Sequence, residues 1–152
     1  MKKKVSIILL AVLTFMVTGC SNAKIADIPK GYIREYEYYD EDDSGAYNDY
    51  AKYVYPSKDI VLNNNEYVLI SEDEIENIKG YFLKLANRLN SDNRLGEFDF
   101  DYDIIDNNDY VRIKTKEGEK ISNGEYGKYD NYSVYFFDTD TLTLYYIHSN
   151  VQ

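Results

Sequence analysis

The stretch from Ile70 to Asn90, ISEDEIENIKGYFLKLANRLN, constrains the fold of this chain more than any other. Its apolar residues recur at steps of three and four, which predicts one amphipathic helix with a single apolar stripe. Ser71 and Glu74 have the spacing of a capping box, so the helix is expected to start there. The stripe consists of Ile75, Ile78, Phe82, Leu85 and Leu89. A stripe of this size has to be covered, and the segments that could cover it have the patterns of β-strands.

The chain after this helix is dense in aromatic and β-branched residues, which favours strands. Four strands are predicted there, at residues 98–104, 110–115, 132–137 and 142–147, with turns at residues 107–108 and 138–141. Residues 32–39 predict one further strand before the helix. The predicted fold class is therefore α+β, with one main amphipathic helix packed on a four-stranded antiparallel sheet. The order of a helix followed by a β-meander resembles the cystatin-like layout, and the resemblance is one of layout only.

The first twenty residues have the pattern of a secretory signal. Three lysines at residues 2–4 form a basic region, and residues 5–17 form an apolar region that is too short to span a bilayer comfortably. The segment ends in Val-Thr-Gly-Cys, which resembles the lipobox of bacterial lipoprotein precursors. This resemblance implies cleavage between Gly19 and Cys20, a diacylglyceryl group on the Cys20 sulfur and acylation of the new amino terminus. An ordinary secreted protein with a chance cysteine at this position is the alternative.

The resemblance also implies a domain organisation and a location. Residues 1–19 are expected to be a signal peptide, residues 20–30 a lipidated amino terminus and tether, and residues 31–152 a single α+β domain. Lipid on Cys20 would attach the protein to the extracytoplasmic face of the cell membrane, because two or more acyl chains anchor stably. Cys20 is the only cysteine, so no disulfide can form within the chain.

The charge balance restricts the partners. Without the lysines of the leader, the chain has 14 basic and 27 acidic residues, a net charge of −13. Such a charge disfavours nucleic acid and anionic lipid surfaces as direct partners. It suits a cationic partner, or simply keeps the protein soluble.

One short motif hints at a metal. Asp40, Asp42, Ser44 and Gly45 occupy positions 1, 3, 5 and 6 of an EF-hand calcium loop. Position 12 should hold a bidentate glutamate but holds Ala51, and no flanking helices are predicted. A solvated acidic turn is therefore favoured over a weak calcium site, and no cofactor or metal ligand is predicted.

Few residues point to catalysis. His148, the only histidine, is predicted to be exposed at a strand end, and no Gly-x-Ser-x-Gly or Walker-type loop occurs. Asp99, Asp101 and Asp103 would place three carboxylates on one strand face, which is most simply the face in water. A non-catalytic protein is therefore predicted.

The 18 tyrosines are the remaining unusual feature, and the chain has no tryptophan. Strand propensity and coding bias would explain such an excess, while an exposed tyrosine-rich sheet face would offer contact area to protein or glycan partners. The sequence thus predicts a lipid-anchored binding or interaction module whose partner is an unknown envelope protein or glycan. The alternative is a carboxylate-dependent hydrolase that acts on envelope or environmental polysaccharide.

Overall fold

The computed structural model describes Ile25, residues 27–41, Gly45, residues 47–64, residues 66–91, Gly96, residues 98–115 and residues 131–150. These residues form one main helix and one antiparallel sheet, which confirms the predicted α+β class. The strands are β1 (Arg34–Glu41), β2 (Tyr47–Val54), β3 (Val68–Leu69), β4 (Tyr110–Thr115), β5 (Tyr132–Asp138) and β6 (Thr143–Asn150). The helices are α1 (Lys58–Leu62) and α2 (Ile75–Ser91), with 3-10 turns at Glu72–Glu74 and Tyr102–Ile104.

The sheet has six strands in the order β1-β2-β6-β5-β4-β3, so the prediction of four strands was wrong. Three of the six precede α2, which also corrects the predicted order of a helix followed by a meander. The last strand of the chain lies in the centre of the sheet, where it pairs with β2 on one side and β5 on the other. Pairing between segments so far apart leaves no trace in a local sequence pattern, so the contribution of β2 to the sheet was not predicted.

One of the four predicted strands is absent. Residues 98–104 alternate between buried or half-buried and exposed side chains as predicted, but they pair with no strand. The aromatic ring of Phe100 lies 3.8 Å from that of Phe82 on α2 and 5.1 Å from that of Tyr145 on β6. The alternation therefore reflects a segment laid across the helix and the sheet, followed by a 3-10 turn, and not a ladder of hydrogen bonds.

The main helix agrees closely with the prediction. The carboxylate of Glu74 accepts hydrogen bonds from the Ser71 N–H (3.2 Å) and hydroxyl (2.8 Å), so the predicted capping box is present. Four stripe residues are fully buried and the fifth, Ile75, is half-buried against the same cluster. The stripe packs on one face of the sheet, which we call the helix face. Its partners there are Tyr50, Val111, Tyr132, Val134, Phe136 and Ile147.

The opposite face of the sheet is covered by α1 and by the amino-terminal segment. We call this segment, Ile25 with residues 27–33, the strap, and we call the face it covers the strap face. Ile25 and Ile28 pack against a second buried cluster, and the hydroxyl of Tyr55 donates to the carbonyl of Pro29 at 2.8 Å. The described part of the predicted tether is therefore packed against the domain.

Charge pairs hold the start of the strap. The carboxylate of Asp27 accepts a hydrogen bond from the Lys114 ammonium at 2.8 Å and lies 3.5 Å from the Arg112 guanidinium. The hydrogen bond from Lys114 lowers the pKa of Asp27. Arg112 is buried, pairs with Glu66 and lies over the ring of Tyr135 at 4.8 Å from its centroid. The strap thus runs from the Tyr55 end of β2 toward Lys114, and its first residues are fixed to the sheet.

Candidate functional site

A row of three polar side chains crosses the strap face near one end of the sheet. Asp49 on β2, His148 on β6 and Ser133 on β5 are directly opposite one another in the strand register. Directly opposite residues on one sheet face have Cβ atoms about 5 Å apart, so their side chains can interact. The row places the chain's only histidine between a carboxyl and a hydroxyl.

His148 is not an exposed strand-end residue, and that prediction was wrong. It is half-buried because β6 continues to Asn150 between two neighbouring strands, whereas the predicted strand ended at Ile147. Its Nδ1 atom lies 2.7 Å from the hydroxyl oxygen of Ser133. Burial lowers the pKa of His148, so the imidazole is neutral at neutral pH. A neutral ring that accepts the Ser133 hydroxyl at Nδ1 carries its proton on Nε2.

Two polar atoms in this row lack partners among the described residues. His148 Nε2 and Asp49 Oδ1 are both buried, and neither has a hydrogen-bond partner there. Burial, and secondarily the charge of Glu37, raise the pKa of Asp49 to about 7. Two buried polar atoms without partners thus lie on directly opposite residues of β2 and β6.

A cleft of about 320 Å³ opens beside this row. It is lined by Tyr47, Thr115, Asn131, Tyr132, Ser133, His148 and Asn150. The ring of Tyr47 stacks on His148, with centroids 4.9 Å apart and 25° between the planes. The lining therefore combines aromatic rings, amides, hydroxyls and a neutral imidazole, and it includes neither an acid nor a lysine or arginine.

The row resembles a nucleophilic triad in composition, but its surroundings do not suit acyl transfer. A serine nucleophile needs backbone N–H groups free to hold an oxyanion, and Ser133 lies on a strand paired on both sides. Nor does the described lining contain the carboxylate pair that a glycosidase uses. The described cleft therefore offers Ser133 no free backbone N–H pair and has no carboxylate pair in its lining.

The predicted carboxylate row at residues 99–103 is not a site. Because that segment is not a strand, its three acids do not share one sheet face. Asp99 accepts hydrogen bonds from Tyr50 (2.8 Å) and Lys52, and Asp101 caps the 3-10 turn by accepting from the Asp103 N–H at 3.0 Å. These contacts tie the segment to β2 and shape its turn, so Asp99 and Asp101 both have structural roles.

The calcium-loop residues fall between two strands. Asp40 is on β1, Ala51 is buried within β2, and Gly45 has a φ of 82° that suits glycine. Asp42 and Ser44 lie outside the described residues, as do Cys20 and the rest of the lipobox. The flanking elements are thus strands, where an EF-hand has helices. Among the described residues, no group of three or more His, Cys, Asp or Glu side chains is placed to hold a metal.

Half of the 16 tyrosines in the described part of the chain are buried in its core. Eight are buried: Tyr50, Tyr53, Tyr55, Tyr67, Tyr81, Tyr132, Tyr135 and Tyr146. The most exposed are Tyr32, Tyr36 and Tyr39, on or beside the edge strand β1. A broad exposed tyrosine face is therefore not what the described sheet presents.

The residues that form the cleft were not identified from the sequence. Tyr47 lay outside every strand predicted from the sequence, and Ser133 was one of several alternating positions in a predicted strand. The only available signal was that both Ser133 and His148 are polar residues in strands that are otherwise apolar or aromatic. Comparison with protein-family models, with curated proteins and with solved structures finds no match to this chain.

Proposed function

We propose that this protein is a lipid-anchored, extracytoplasmic bacterial lipoprotein, and that it is a non-catalytic module which binds an uncharged glycan in the cleft around His148. The lipobox-like sequence that ends in Cys20 supports the anchor. No helix in the described part of the chain is long and apolar enough to cross a membrane.

The observation that carries the binding proposal is an uncharged cleft in a strongly acidic chain. Acids outnumber bases by 27 to 17 in the full sequence, yet the seven lining residues include neither at neutral pH. Binding sites are concave surfaces in which aromatic walls are combined with a few fixed polar groups. Two tyrosines, two asparagines, a serine and a threonine provide such walls and groups, and they match a ligand with apolar faces and many hydroxyls. A sugar fits this description better than a cation, an anion or a purely apolar compound.

The first test measures glycan binding. The mature protein is titrated by calorimetry with uncharged oligosaccharides and, in parallel, with uronate-containing ones. We expect saturable binding of the uncharged set only, because the lining offers an anionic sugar no cationic side chain and the exposed Glu37 lies on the same sheet face. Tyr47→Ala removes the ring that stacks on His148 and should weaken binding about tenfold, the equivalent of one lost aromatic contact of roughly 1–1.5 kcal/mol.

The matched control is Tyr36→Ala, which removes a partly exposed tyrosine from the helix face of β1, away from the cleft. It should leave the affinity unchanged. Binding that is absent for all uncharged glycans, or that both variants weaken equally, would contradict the assignment of the cleft.

The second test concerns the anchor. Cys20→Ala removes the sulfur that would carry the lipid, so an unprocessed or mislocalised precursor is expected in place of an acylated membrane protein. Metabolic labelling with a fatty acid and fractionation of the cells measure both effects. A Cys20→Ala variant that is cleaved and still fractionates with membranes would exclude the lipoprotein assignment.

A further inference from the structure

The strap connects the proposed anchor to the cleft. Its carbonyl at Pro29 contacts Tyr55 at one end of β2, and its carboxylate at Asp27 contacts Lys114. Lys114 is directly opposite Ser133, which lines the cleft. Followed toward its amino terminus, the strap therefore runs along the strap face and reaches the strand next to the cleft.

The chain length between Asp27 and Cys20 limits how far the domain can move from a lipid on Cys20. Seven peptide units separate the two residues, and a fully extended chain of that length reaches about 25 Å. A domain of this size has a radius of gyration of about 14 Å, so it is wider than the link is long. The point where the strap is held, and the cleft beside it, therefore cannot lie on the side of the domain farthest from the bilayer.

The charges around the cleft limit which lipids it can face. Glu35 and Glu37 lie on the strap face of β1 and are exposed, while Lys114 on the same face is paired with Asp27, so an anionic surface would be repelled. The lining of the cleft is uncharged. Together these features suit a headgroup that carries hydroxyls and no charge.

We propose that the strap holds the His148 cleft toward the bilayer, where it takes as its ligand the uncharged sugar headgroup of a membrane glycolipid. This inference rests on the proposed lipid anchor and glycan site, and it adds the orientation of the domain and the source of the ligand. The strap acts as a positioning element and the cleft binds the sugar.

The orientation is measurable because Cys20 is the only cysteine and its sulfur would be acylated, so an introduced cysteine is a unique thiol. The full chain is produced with its own leader, purified as the processed lipoprotein and inserted into phosphatidylcholine vesicles that contain an acceptor dye on the lipid. A donor dye is attached at Tyr39→Cys, on the strap face, or at Leu83→Cys, on the outer side of α2. The two positions are a matched pair, since Tyr39 and Leu83 are each 51% exposed.

We expect energy transfer to the membrane to be at least twofold more efficient from position 39 than from position 83. Asp27→Asn, which weakens the pairing with Lys114 and Arg112, should reduce this difference while the melting temperature shows that the domain stays folded. Equal transfer from both positions in the unaltered strap would overturn the orientation. No transfer from either position, with the protein absent from the vesicles, would instead show that the anchor proposal has failed.

The ligand source is tested with the same labelled protein. Adding an uncharged diglucosyl diacylglycerol to the vesicles should change the fluorescence of the label at position 39 saturably. The change should disappear in Tyr47→Ala and should not occur at position 83. A response to the free disaccharide in solution but not to the glycolipid would overturn the inference and leave the glycan proposal intact, whereas a response to neither would contradict both.

Discussion

Asp49 is the residue at which the polar row is least satisfied. Its side chain is only 7% exposed, and its Oδ1 atom has no hydrogen-bond partner in the described structure. Burial and the charge of Glu37 raise its pKa to about 7. The nearest group of complementary kind in the strand register is His148, whose Nε2 also lacks a partner among the described residues. The protonation of Asp49 therefore affects both the stability of the sheet and the charge beside the cleft.

The pH dependence of stability follows from the raised pKa of Asp49. An unfolded aspartate loses its proton near pH 4, while the folded one keeps it up to about pH 7, so unfolding in this window releases a proton. The contribution of Asp49 to stability is therefore full below pH 4 and declines as the pH rises to 7. Asp49→Asn does not titrate, so it should be more stable than the wild type at pH 7.5 by about 1–3 kcal/mol and nearly equal to it at pH 4.

Urea denaturation at the two pH values measures this difference, and Asp103→Asn, at an exposed position, is the control expected to change little at either. A loss of stability in Asp49→Asn at pH 7.5 would show that the carboxylate is ionised and paired with His148, contrary to the prediction.

At the scale of elements, α2 is the main support of the helix face. Its stripe residues pack against β2, β4, β5 and β6, and the ring of Phe82 also stacks on Phe100. The stripe prediction left Asn77 off the buried surface, but its side chain is only 6% exposed in the structure. The buried surface of the helix is therefore wider than the apolar stripe, and Asn77 does not serve as a surface control.

Two leucines on α2 allow a matched test of this packing. Leu85 is fully buried and Leu83 is 51% exposed, so the same substitution by alanine removes the same atoms from two environments. Leu85→Ala should cost about 2–5 kcal/mol of unfolding free energy, because it leaves a cavity in the core. Leu83→Ala should stay within about 0.5 kcal/mol. Equal, small effects in chemical denaturation would mean that α2 is not the element on which the core depends.

Local patterns predicted the elements whose signals are local. The start of α2, strands β4, β5 and β6, and the turn after Asp138 follow from periodicity, capping and turn residues, and all were predicted close to their observed bounds. Residues 59–62 belonged to none of the predicted elements and form most of α1, whose start is capped by the Ser57 hydroxyl, which accepts a hydrogen bond from the Asp59 N–H. Residues 98–104 do alternate as predicted. A strand also needs a hydrogen-bonded partner, and none of the described strands pairs with this segment. The cleft was missed for a related reason, since its residues meet only when β2 pairs with β6.

At the scale of the whole molecule, the two faces of the sheet are covered by different elements. The helix face carries α2 and the segment with Phe100, while the strap face carries α1 and the strap. Among the described residues, the strap reaches Lys114, and the polar row with its cleft lies next to that point. The candidate site thus lies beside the described covering of the strap face.

The central place of β6 also governs the order of events during folding. The ladder between β2 and β6 joins Tyr47 to Asn150, so it cannot form until β6, which follows the other described strands in the chain, is available. Sheets dominated by such distant pairings reach their native state in milliseconds to seconds, more slowly than helical bundles. In any chain delivered with its amino terminus first, the β1–β2 hairpin waits during that interval with one edge of β2 open to wrong partners. The eight residues of β6 then complete the sheet by pairing with β2 on one side and β5 on the other.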